Sequence, residues 1–180
     1  RLLDRYAQID AVHQRFVSLL TDEAFDLSQP FSVLNVLNLK TTARNQFIGT
    51  VTAMRSGAVN DEVELTLPGG TRLVAIVTRE SVDALGLRTQ QPAVALIQAA
   101  NVVLATDIGQ AKLSTRNQLH GTVRSVRPGA VNAEVTLDIG SGGQIVAIVT
   151  EASVTELALA PGVRAVALIK APDVILAVAS

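Results

Sequence analysis

The chain contains one long block of sequence twice over, and no other property restricts its fold as much. Ala43-Arg44-Asn45-Gln46 returns as Thr115-Arg116-Asn117-Gln118. The shift that takes Arg44 to Arg116 also takes Gly57-Ala58-Val59-Asn60 onto Gly129-Ala130-Val131-Asn132 and Val74-Ala75-Ile76-Val77-Thr78 onto Val146-Ala147-Ile148-Val149-Thr150. It takes Ala93-Val94-Ala95-Leu96-Ile97 onto Ala165-Val166-Ala167-Leu168-Ile169. No gap is needed from Ala43 to the C-terminus, and roughly half of the aligned positions are identical, so a whole folding unit has been duplicated. Each copy has about the size of a minimal folding domain. The expected organisation is a helical segment over 1–40, a first repeat over 41–107 and a second over 113–180, with Asp107 to Leu113 as the connection.

Within a copy the pattern is short strands separated by turns. Gln46 to Met54 is strand-like and Ser56-Gly57 turns the chain. Val59 to Leu67 alternates, which puts Val59, Val63, Leu65 and Leu67 on one face. Pro68-Gly69-Gly70 predicts a tight hairpin leading into a strand over Thr71 to Thr78. Arg79 to Leu85 predicts one or two helical turns, stopped by Gly86. Pro92 to Gln98 and Val102 to Ala105 complete the set. The second copy keeps this order, with Gly140 to Gly143 at the hairpin. Five strands with a helical turn after the third match a small OB-like barrel. The fold class expected is therefore mainly β, two tandem OB-like five-stranded barrels preceded by an N-terminal helical segment. That segment, 1 to about 25, carries Leu2, Tyr6, Ile9, Phe16 and Leu20 at helical spacing, with His13 on the same seam as a packing residue.

Composition narrows the function. Of the residues 48% are hydrophobic but only 3% aromatic, so the cores are aliphatic and stacking platforms for bases are scarce. A formal net charge of −1 gives no bulk attraction to nucleic acid or to an anionic membrane. Without cysteine there are no disulfides or thiolate metal sites, which is compatible with a cytoplasmic protein. No apolar run is long enough to span a membrane, and no secretory signal is seen. Neither copy holds a Ser/His/Asp constellation, His120 replaces Ile48 of the first copy, and there is no phosphate loop. Glu62 and Glu134 recur, but their alternating strands make them solvent-facing. No enzyme, no catalytic residue and no free metal cation are expected.

The groups that do recur are anion donors. Thr42-Ala43-Arg44 and Ser114-Thr115-Arg116 each set a hydroxyl two residues before an arginine. Thr78 with Ser81, and Thr150 with Ser153, stand where a short helix begins, and free N–H groups there favour an anion. The same residues have plainer readings. Arg44 and Arg116 suit surface salt bridges, and Thr78 and Thr150 suit helix N-caps. The residue types alone leave both readings open.

The combined pattern resembles the Mop domains (molbindin, TOBE-like). It runs Thr42-Ala43-Arg44-Asn45-Gln46, Gly57 to Val63, Val74 to Thr78 with Ser81, and Ile97-Gln98-Ala99. The second copy has Ser114 to Gln118, Gly129 to Val135, Val146 to Thr150 with Ser153, and Ile169-Lys170-Ala171. The resemblance implies that tandem copies bind molybdate, with tungstate as an analogue, as intact oxyanions. It implies ligand contacts from Thr42, Ala43, Arg44, Thr78, Ser81, Ser114, Thr115, Arg116, Thr150, Ser153 and Lys170, at interfaces between modules or subunits of a homo-oligomer, taken to be a dimer. A helical stretch ahead of a tandem pair resembles the sensing region of molybdate-responsive transcription regulators, which reach DNA only through an upstream domain that this chain lacks. An intracellular molybdate-storage protein is the alternative. One departure stands out. The lysine of the Ile-Lys-Ala block survives as Lys170 but is Gln98 in the first copy.

Overall fold

The computed structural model describes residues 40–140 and 143–178. The helix expected over 1 to about 25, with His13, lies outside the described residues. From Asn45 onward the order is β1 (Asn45–Arg55), β2 (Asn60–Thr66), β3 (Arg72–Thr78), α1 (Arg79–Leu85), β4 (Pro92–Ile97) and β5 (Val103–Ala105). The second repeat follows with β6 (Asn117–Arg127), β7 (Asn132–Asp138), β8 (Gln144–Thr150), α2 (Glu151–Glu156), β9 (Arg164–Ile169) and β10 (Ile175–Ala177). The protein is mainly β, as expected, in two curled five-stranded sheets.

The sheets do not coincide with the repeats. One has the order β10-β4-β1-β2-β3 and the other β5-β9-β6-β7-β8. The last strand of each copy thus completes the sheet of the other. β10 pairs antiparallel with β4, Ile175 opposite Leu96, and β5 pairs with β9, Val103 opposite Leu168. Five strands per sheet are present, but one of the five is borrowed. Residues 41–178 accordingly make one compact unit with a continuous aliphatic core.

Alternation explains the core. In β2, Val63 and Leu65 point inward and are fully buried, and in β7 Val135 and Leu137 do the same. Phe47 is buried in this core. That removes the repeat region's only aromatic from any base-stacking role. The expected inward face fails at its first member. Val59 is 71% exposed, as is Val131. Both precede their strands, and their carbonyls accept from the N–H groups of Arg79 and Glu151, so the two-residue period has not yet begun there. Gly57 and Gly129 are required in these turns, because a Cβ would overlap the carbonyl oxygen of Asn60 or Asn132.

Asp61 takes the buried inward place that Val59 does not. Its carboxylate accepts from Gly57 N–H at 3.0 Å and lies 3.4 Å from Arg79 Nη2, which also donates to Gly57 O at 2.6 Å. The second copy has Ala133 there, and Glu151, in place of Arg79, accepts from Gly129 N–H at 3.0 Å. Both turns are held by a carboxylate, supplied by β2 in the first copy and by the start of α2 in the second.

Candidate anion-binding site

Both arginines sit immediately before the first strand of their copy, where β1 or β6 enters its sheet. Each reaches across to the other repeat. Arg44 Nη2 donates to Glu134 Oε2 at 3.0 Å, and Arg116 Nη1 and Nη2 donate to Glu62 Oε2 and Oε1 at 2.8 and 3.2 Å. The arginine side chains are 57% and 54% exposed, and the glutamates 24% and 30%. Glu62 and Glu134 are therefore not simply solvent-facing. Alternation predicts their face correctly but cannot show that an arginine from the other copy stands over it. Glu134 has a second cation, Arg127, at 3.6 Å.

The asparagines next to the arginines fix this crossing. Asn117 Nδ2 donates to Val74 O at 2.8 Å, and Val74 N–H donates to Asn117 Oδ1 at 2.7 Å. Asn45 makes the same two bonds to Val146, at 2.8 and 2.7 Å. Val74 and Val146 lie on β3 and β8, which are edge strands. Each amide takes the place of a missing neighbouring strand and meets one donor and one acceptor at once. Both asparagines are 2% exposed. Their identity in the two copies was the available signal; burial of a polar side chain on a partner strand is not visible in a single chain's pattern.

The register also locates the lysine. Asn117 pairs with Ile169, so Arg116 and Lys170 are adjacent just beyond the ladder. Asn45 pairs with Ile97, which sets Arg44 beside Gln98. One end therefore gathers Arg116, Lys170 and Glu62, and the other Arg44, Gln98 and Glu134. Thr42, Ser114 and Lys170 are exposed, Thr115 is half-buried, and Ala43 is buried.

Thr78 and Thr150 are N-caps, as the plainer reading has it. Thr78 Oγ1 accepts from Ser81 N–H at 3.1 Å and shares a hydrogen bond with Ser81 Oγ at 2.8 Å. Thr150 and Ser153 repeat both distances. Among the described residues these hydroxyl pairs bond to each other and not to either arginine. A surface cavity of about 410 Å³ lies at the inter-repeat connection, lined in part by Asp107, His120, Thr122 and Arg164. None of the expected ligand residues lines it. No three His, Asp or Glu side chains are grouped to hold a metal ion among the described residues.

Comparison with known proteins now decides the family. The model of the TOBE domain matches residues 41–104 and 113–176. The chain belongs to the TOBE-domain family. The molybdenum transport protein ModE of Azotobacter vinelandii is 36% identical over 99% of the chain and 67% of its own length. The molybdenum-pterin-binding protein MopA of Rhodobacter capsulatus is 42% identical over 84% of the chain and 58% of its own length. The chain thus spans between about half and two-thirds of the curated relatives it matches. The molybdate-bound crystal structure of the cytoplasmic molybdate-binding protein ModG superposes with a TM-score of 0.76 at 49% identity. That match covers 78% of the chain and 99% of ModG. These relatives are named as transport or binding proteins, and ModE of Yersinia pestis, 32% identical over 98% of the chain and 67% of its own length, is named as a transcriptional regulator. No described helix is long and apolar enough to cross a membrane. The two matched ranges contain both arginines and both N-caps.

Proposed function

We propose that this chain binds molybdate, and tungstate as its analogue, as the sensing region of a dimeric molybdate-responsive transcription regulator that works in the cytoplasm. The observation that carries the reading is the cross-repeat placement of Arg44 and Arg116, each repeated with its hydroxyl neighbours in a chain similar to ModE over nearly its full length. Molybdate is a dianion with four acceptor oxygens and no donor. Arginine, lysine and backbone N–H groups supply donors only, a hydroxyl can turn its O–H toward the anion, and the guanidinium fork makes charge-assisted bonds. Sulfate carries the same charge but is smaller, so fit separates the two. Thr42, Ala43, Ser114 and Thr115 lie beside the arginines, and Thr78, Ser81, Thr150 and Ser153 are offered as ligand donors to a neighbouring module or subunit. DNA contact belongs to an upstream domain.

A storage role is the second reading. It is favoured by the match to ModG, which spans nearly the whole of that molybdate-binding protein. DNA binding by the complete gene product separates the two. Molybdate-dependent protection of a DNA segment supports the regulator, and no DNA affinity with or without molybdate supports storage.

Calorimetric titration with molybdate, tungstate, sulfate and phosphate tests the shared core of both readings. Arg116→Ala is expected to weaken molybdate binding by about ten- to hundredfold, the scale of a hydrogen bond to a charged group. Gln98→Ala is expected to change it less than about threefold. Equal affinity for sulfate and molybdate overturns the assignment. Because Lys170 stands beside Arg116 and Gln98 beside Arg44, the two ends are expected to bind unequally, with the Arg116 end the tighter.

A further inference from the structure

We propose that Glu62 and Glu134 are built-in competitors for the oxyanion, holding the arginine forks from the opposite repeat and setting the affinity of each end. The inference rests on the molybdate reading above and adds its regulation. A carboxylate and an oxyanion seek the same guanidinium donors. Arg116 commits both terminal nitrogens to Glu62, at 2.8 and 3.2 Å. An anion that takes the same face of the fork has to displace that carboxylate or share the donors with it. Even when displaced, a negative charge left nearby opposes a dianion.

The two ends are not equally guarded. Arg44 gives Glu134 only one bond, through Nη2 at 3.0 Å, which leaves the rest of its fork uncommitted. Glu134 also keeps Arg127 at 3.6 Å when Arg44 turns away. Among the described residues Glu62 has no second cation within salt-bridge distance. Arg55 stands opposite Glu62 in the β1–β2 register without pairing with it, so release from Arg116 breaks the ion pair that Glu62 has, at a carboxylate only 30% exposed. Displacement is harder at the Arg116 end. Competition there offsets part of the advantage that Lys170 brings, so the glutamates bring the two ends closer in affinity than their cations alone would make them.

Each competitor also belongs to the other copy. Glu62 lies on β2 opposite Ile76 of β3, the strand whose last residue is the α1 cap Thr78. An anion at Arg116 thus frees a side chain of the first repeat, and an anion at Arg44 frees one of the second. Occupation of either end is felt across the repeat boundary without movement of a whole strand.

The test is molybdate titration of the full chain and of Glu62→Gln, Glu134→Gln and Glu64→Gln. Glu64 removes the same charge from the same strand, but its side chain bonds to Thr52 rather than to an arginine. Glu62→Gln is expected to tighten binding about three- to tenfold, Glu134→Gln by less, and Glu64→Gln not measurably. Binding by a glutamine variant when the unaltered chain shows none supports the proposal in its strongest form. If Glu62→Gln binds as the unaltered chain does, or more weakly, the glutamates position the arginines and the competition is overturned while molybdate binding stands. Equal tightening by Glu64→Gln reduces the effect to net charge and also overturns it. If neither the unaltered chain nor any variant binds molybdate, the underlying reading falls as well.

Discussion

At the scale of single residues, the two copies make a matched comparison inside one molecule. Gly86 ends α1 with φ 60°, and its N–H bonds back to Asp83 O. Its counterpart Ala158 keeps the left-handed backbone, φ 48°, and donates to Thr155 O. Four residues on, the substitution runs the other way, with Gln90 at φ 66° and Gly162 at φ 93°. Across these two turns each copy therefore holds one side chain in a conformation that suits glycine. Ala158→Gly and Gln90→Gly are each expected to stabilise by about 0.5–1 kcal/mol, a rise in melting temperature of about 1–4 °C for a unit of this size. A lowered melting temperature in both variants would show that the turns are set by other contacts. Asn117 makes the opposite case. Both of its bonds to Val74 are buried, so Asn117→Ala leaves a donor and an acceptor on β3 without partners and is expected to cost about 1–3 kcal/mol in urea unfolding. Asn45→Ala, whose bonds are only partly buried, is expected to cost less. The sequence pointed to Arg44 and Arg116 because arginine beside hydroxyls has a recognisable chemistry. Asn45, Glu62 and their counterparts were repeated just as faithfully, yet their partners come from the other copy and no local pattern reveals them.

Among the elements, β1, β2, β6 and β7 could be read from alternation, because one face of each is buried, whereas β4 and β9 show only as short apolar runs buried at nearly every residue. The partners of β5 and β10 could not. Val103-Leu104-Ala105 and Ile175-Leu176-Ala177 have the same apolar character, and each has one fully inward leucine whichever sheet receives it. Duplication gives both sheets an equivalent open edge, so only the path of the connecting chain chooses between them. The exchange predicts an effect at a distance in sequence. Removing residues from Ile175 onward should expose the backbone of Val94, Ala95 and Leu96 in the first repeat, while Val166, Ala167 and Leu168 in the second keep β5 as their partner. Amide hydrogen exchange reads this directly. Fast exchange confined to β9 would contradict the strand order.

For the molecule as a whole, two asparagine clamps, two arginine–glutamate bridges and two exchanged strands tie the copies into one body. Residues 41–178 are expected to unfold in one transition, with the same midpoint by circular dichroism in the far ultraviolet and by hydrogen exchange in either copy. Two separated midpoints would mean that the ties are weaker than the sheets they join. Molybdate, if it binds at both ends, should move that single midpoint upward with concentration.

The borrowed β10 also sets a timetable for synthesis. β4 emerges from the ribosome roughly 80 residues ahead of the strand that covers it, an interval of several seconds at ~5–20 residues per second. For that time a newly made first repeat presents an uncovered strand edge, a template for any matching segment nearby. Neighbouring ribosomes on one message supply such segments, since every β5 is a close copy of β10. Whether a nascent chain closes on itself or on its neighbour is thus a contest between translation speed and crowding on the polysome.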